Sequence, residues 1–120
     1  SFVKASTLNV TVTVPAGGRK VRITAWTRAL QNTNSAANTA MCIYDGADPG
    51  SGVAFSGGTQ LSETYYTASG ANTLGAATCI AVVTPSAGSK TYNVGILASA
   101  GTGTITASAT APAFILVEAI

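Results

Sequence analysis

The chain has 120 residues, a net charge of +2, no histidine, and only 8% charged residues beside 47% hydrophobic ones. That length makes one domain able to bury a core without a metal or disulfide, and abundant Thr with little Lys or Glu argues against disorder. Five of the six basic residues (Lys4, Arg19, Lys20, Arg22 and Arg28) precede residue 30 without the dense basic face of a nucleic-acid binder, and no run approaches the ~20 apolar residues of a membrane-spanning helix.

In chain order, Leu8 to Val14 alternates Leu8, Val10, Val12 and Val14 with Asn9, Thr11 and Thr13, the period of a strand with one wet face. Pro15-Ala16-Gly17-Gly18 supplies a turn. Lys20 to Leu30 resumes as a strand, with Val21, Ile23 and Ala25 on one face and Arg22, Trp26 and Arg28 on the other. Gln31 to Asn38 lacks periodicity and reads as a loop, and Ala40 to Tyr44 as a short buried strand. Asp45 to Gly58 is turn-rich, with Val53 to Phe55 paired briefly in its middle. Gln60 to Thr67 is a strand, as is Leu74 to Thr84, which is apolar on both faces around Cys79 to Val83. Lys90 to Ala98 puts Tyr92, Val94 and Ile96 on one face; Thr104 to Ala109 alternates hydroxyl and small apolar residues.

After Pro112 comes a final strand, Ala113 to Val117, apolar at every position. A strand with one wet face alternates, so this one is expected in the middle of the fold or against another subunit. About eight strands and no helix predict an all-β, antiparallel β-sandwich of jelly-roll type, filling residues 1–120 as a single domain.

The chemistry-bearing groups are few. General acid–base work uses His or tuned carboxylates, and the four carboxylates are Asp45, Asp48, Glu63 and Glu118. Asp45 and Asp48 share one turn, so no pair faces across a cleft as a glycosidase requires. A Ser–His or Cys–His nucleophile has no His to use. Two cysteines fall short of a zinc set. The chain is therefore read as no enzyme, with no catalytic, cofactor or metal residues. Asp45-Gly46-Ala47-Asp48 suits a hard cation only weakly, since Asp-Gly is also an ordinary turn pair. Cys42 and Cys79 sit in apolar runs and read as buried thiols, although one bridge between them is compatible with the sequence. Trp26, Tyr65, Tyr66 and Tyr92 are candidate glycan-contact residues, provided they share an exposed face; adjacent strand residues point oppositely, which divides Tyr65 from Tyr66.

Four pieces carry a family resemblance: LNVTVTVPAGGRKVRIT (Leu8 to Thr24), GGTQL (Gly57 to Leu61), TPSAGSKTYNV (Thr84 to Val94) and GTGTITASATAPAFILVE (Gly101 to Glu118). In that order they resemble the C-terminal β module of minor tail proteins and tail fibres from bacteriophages of actinobacteria. The resemblance implies a non-enzymatic virion structural protein, a surface-exposed module for host-surface adhesion or particle assembly. It further implies a homo-oligomer, a trimer, beside other virion proteins or a host-surface glycan, with no nucleic acid and no membrane insertion. A capsid decoration protein or head fibre is the near alternative, and a carbohydrate-binding module of a secreted bacterial protein the more distant one. Phe114, Ile115, Leu116 and Val117 are the residues expected to close the core and meet a neighbour; aspartate at Phe114 or Leu116 is expected to abolish assembly or folding.

Overall fold

A computed structural model describes residues 1–110 and 112–120. Among these the only regular elements are eight strands: β1 (Val3–Val14), β2 (Val21–Asn32), β3 (Asn38–Asp45), β4 (Thr59–Thr67), β5 (Gly75–Val83), β6 (Gly88–Ala98), β7 (Gly103–Ile105) and β8 (Phe114–Ala119). All pairings are antiparallel. The first sheet runs β1-β6-β3-β4. In the second, β2 pairs with β5 on one side; on the other it pairs with β8 along Val21–Trp26 and with β7 along Leu30–Asn32. Because β6 inserts between β1 and β3 while β5 returns to β2, the chain follows the crossed path of a jelly-roll-like sandwich.

Alternation decides which residues meet between the sheets. The core comprises Val21, Ile23 and Ala25 of β2, Met41 and Ile43 of β3, Ala77, Cys79 and Ala81 of β5, and Tyr92 and Val94 of β6. Leu8, Val10 and Val12 pack against it from β1, Ile115 and Val117 from β8. Full burial of Ile23, Leu30 or Ile43 is worth about 1.5–3 kcal/mol per side chain.

Two irregularities extend the predicted strands. β1 starts at Val3 rather than Leu8, and its pairing with β6 slips between Lys4 and Asn9. This bulge holds Thr7 at φ 59°, a conformation that a β-branched residue rarely adopts. β2 continues to Asn32, into the expected loop, after a second bulge between Thr27 and Leu30. There the Ala29 amide donates to Thr27 Oγ1 at 3.1 Å, and Ala29 and Leu30 are both buried. β7 covers only Gly103–Ile105, shorter than the alternation to Ala109 suggested, because β2 offers it just three partners, Leu30, Gln31 and Asn32.

The loop between β3 and β4 crosses the outer face of the first sheet. Phe55 stacks on Tyr44 with ring centroids 4.2 Å apart. It also lies over Gly95, where a Cβ would come within 2.8 Å of the Phe55 ring and 2.9 Å of Cys42 Sγ. Backbone bonds tie the loop to the start of β1: Lys4 N–H to Val53 C=O at 2.9 Å, Gly52 N–H to Lys4 C=O at 2.9 Å, and Phe55 N–H to Phe2 C=O at 3.2 Å. The brief pairing expected around Val53 to Phe55 is the Val3–Ala54 bridge.

Lys4 is buried, and its ammonium donates to Asp48 Oδ1 at 3.0 Å. Asn9 Nδ2 donates to Asp48 Oδ2 at 2.8 Å and the Gly50 amide to Oδ1 at 2.8 Å. A buried cation needs such a partner to offset its lost hydration.

Candidate interaction surface

The outer face of the second sheet is built from three cross-strand rows. Arg22 of β2 lies between Val82 and Glu118, Thr24 between Ile80 and Leu116, and Trp26 between Thr78 and Phe114. Strand alternation sends Ile23, Ala25, Ile115 and Val117 into the core and leaves these rows outside. The result is an apolar surface in water: Phe114 is 41% exposed, Leu116 47%, Ile80 52% and Val82 53%. Trp26 stacks on Phe114 with centroids 5.7 Å apart and an interplanar angle of 29°. Its partner is thus an aromatic ring of β8 rather than a flanking guanidinium. Arg22 Nη2 reaches Glu118 Oε1 at 3.3 Å, and both side chains are exposed, so the pair is worth little to stability.

The four residues expected to close the core and meet a neighbour therefore divide by parity. Ile115 and Val117 pack inward; Phe114 and Leu116 point outward. Of the two placements expected for this strand, the structure excludes the middle of the fold: β8 is an edge strand, since β2 is its only partner among the described residues. Ile80 and Val82 belong to the same surface and were not singled out from the sequence. Their signal was present in the doubly apolar run Cys79 to Val83, whose outer half is exposed instead of covered.

The four candidate glycan-contact aromatics do not come together. Trp26 is on the outer face of the second sheet, and Tyr65, 63% exposed, is on β4 of the first. Tyr66 turns inward, packs on the core, and shares a 3.0 Å hydrogen bond with Thr73 Oγ1. Its ring lies on Gly75, where no Cβ would fit. Tyr92 is fully buried. Three strands in two sheets, with alternating side-chain directions, scatter these rings over separate faces.

No group of three or more His, Cys, Asp or Glu side chains suitable for a metal occurs among the described residues. Around Asp48 the cation is the Lys4 ammonium itself. The Gly50 amide and then Lys4 hold the Asp48 carboxyl below the usual carboxylate range. Cys42 and Cys79 are free and buried; burial pushes the Cys42 thiol up to about 12 and raises that of Cys79. Both shifts run away from the thiolate, the reactive form. Tyr92 Oη and Asn93 Oδ1 are buried without a hydrogen-bond partner among the described residues, the situation an internal water commonly resolves. Comparison with known proteins returns no match: no family model, no curated protein and no solved structure is similar to this chain.

Proposed function

We propose that this chain is a non-enzymatic structural module of a bacteriophage particle, displayed on the virion surface for host-surface adhesion or particle assembly. The observation that carries this reading is the apolar outer face formed by Ile80, Val82, Phe114 and Leu116. Contiguous exposed apolar area of this kind marks an interaction site. The nearly uncharged composition and the ordered set of tail-module motifs support the same role. Its partners are copies of itself, a trimer by the family resemblance, and neighbouring virion proteins.

Capsid decoration is the second form of this reading, favoured by the same surface if its partner is the capsid lattice. A secreted carbohydrate-binding module is less well supported, because Trp26, Tyr65, Tyr66 and Tyr92 offer no common stacking face.

Electron microscopy of intact particles labelled with antibody against the purified protein tests the role. Regular labelling at the tail supports the adhesion module, and labelling over the head supports decoration. Unlabelled particles, with the protein found only in the medium, overturn the reading.

A further inference from the structure

All four sheet margins end in strands with an open edge, but they are not equally protected. Natural edge strands are blunted by bulges, charges or cover, because a flat unpaired edge is a template for another strand. β1 has its bulge, its buried Lys4 and the 52–55 segment bonded along its first residues. β4 carries Glu63 and a bulge in its pairing with β3. β5, itself uncharged, has a bulge in its pairing with β2 and lies against β4. β8 has neither bulge nor cover: its six residues, FILVEA, pair with β2 in unbroken register and contain no Pro, Lys or Gly, and its one charge, Glu118, is paired with Arg22.

The side of the sandwich that β8 borders is also open. A groove of about 330 Å³ lies between β8 and β1, lined mostly by apolar side chains (Val12, Val14, Val21, Val117 and Ala119) together with Arg19. A second, of about 360 Å³, continues beside β1 and β7, with Val3, Leu8, Ile96 and Ile105 in its walls beside Lys4 and several hydroxyl residues. A strand added to the β8 edge directs alternate side chains between the sheets, into apolar space. Its other side chains extend the outer surface at Phe114 and Leu116. The occupant must therefore be extended, apolar on both faces and nearly uncharged. β8 itself meets every one of these requirements.

We propose that two copies associate through antiparallel β8–β8 pairing, which joins their second sheets into one. This rests on the reading of the chain as a self-associating module, and it names the contact. In the register centred on Leu116, the side chains keep their faces: Ile115 stands opposite the partner's Val117 on the inner side, and Leu116 opposite its own copy on the outer. The two Glu118 residues fall about 13 Å apart at about 3.3 Å per residue, and each already has Arg22 beside it. No like charges meet. The symmetry is two-fold, so the unit it builds is a dimer, in place of the trimer that the family resemblance implies.

Sedimentation equilibrium and mild oxidation of cysteine variants test this. The wild-type chain is expected at twice its 11.9 kDa mass at high concentration. Leu116→Cys is expected to form a covalent dimer, with Cys42 and Cys79 silent because both are buried. Ile80→Cys, on the same outer face but five strand spacings of ~4.8 Å from its copy, is expected to stay uncrosslinked. Leu116→Lys, with its side chain in solvent, is expected to give a folded monomer by circular dichroism, while Ile80→Lys still dimerises. A monomeric wild type, a trimeric mass, or crosslinking through residue 80 in place of 116 overturns edge pairing. Particle labelling decides the virion role separately, so a trimer on labelled particles removes this contact and leaves that role standing.

Discussion

The first sheet folds its own chain across its outer face, with Phe55 stacked on Tyr44 and buried Lys4 anchored to Asp48. The second sheet leaves Ile80, Val82, Phe114 and Leu116 in water. Both faces are rich in side chains that prefer burial, but only one is covered from within. The difference teaches which face the chain covers with its own residues and which it leaves to solvent. A face covered by its own loop contributes to the stability of the isolated chain. The apolar face without such cover is the one we propose a neighbour binds.

Truncating one ring on each side measures that division most directly. Phe55→Ala is expected to cost about 3 kcal/mol in urea denaturation, the lower end for a truncated aromatic, because Tyr44 and Gly95 lose their cover. Phe114→Ala, in dilute solution, is expected to cost about 1 kcal/mol, the value of the lost stacking with Trp26, while shifting the association equilibrium. Equal costs in dilute protein would break the comparison. On the same logic, aspartate at Phe114 or Leu116 is expected to abolish assembly and spare folding, since both side chains point outward.

Acid sharpens the contrast from the other side. Asp48 has a depressed carboxyl pKa, held down by the Gly50 amide and Lys4. Its contribution is present above the unfolded value near ~3.9 and is lost as pH falls through the lower folded value. Hydrogen exchange is therefore expected to accelerate first at Lys4, Gly52 and Val53 as the solution is acidified below about pH 4, with the β2–β8 amides unaffected over the same range. Asp48→Asn is expected to remove this pH dependence. Simultaneous loss of protection in both sheets would show that the strap is not a local feature of the first.

The smallest effect is expected at the rim of the second sheet. Glu118→Gln should change monomer stability by no more than about 0.5 kcal/mol, since it breaks an exposed pair with Arg22. A larger loss that salt does not diminish would mean that the pair is less solvated than its exposure indicates.

Much of the architecture was legible in local pattern. Alternation in Leu8 to Val14 and in Val21 to Ala25 assigned the inward residues correctly, and the opposed directions of Tyr65 and Tyr66 followed from adjacency alone. The bulges at 5–8 and 28–29 were not legible, because each depends on the partner strand against which an extra residue is accommodated. Nor was the burial of Lys4, whose counter-ion lies 44 residues away.

The sequence by itself determined that this chain is all-β and that its last strand is apolar on both faces. Side-chain direction in a strand has a period of two and needs no information beyond neighbouring residues. Only the tertiary structure decided that this strand sits at a margin, that its outer half joins Ile80 and Val82, and that the first sheet alone has a cover. Those outcomes depend on pairings between distant segments, such as Arg22 with Glu118 across 96 positions, and no local pattern encodes which margin the chain leaves open.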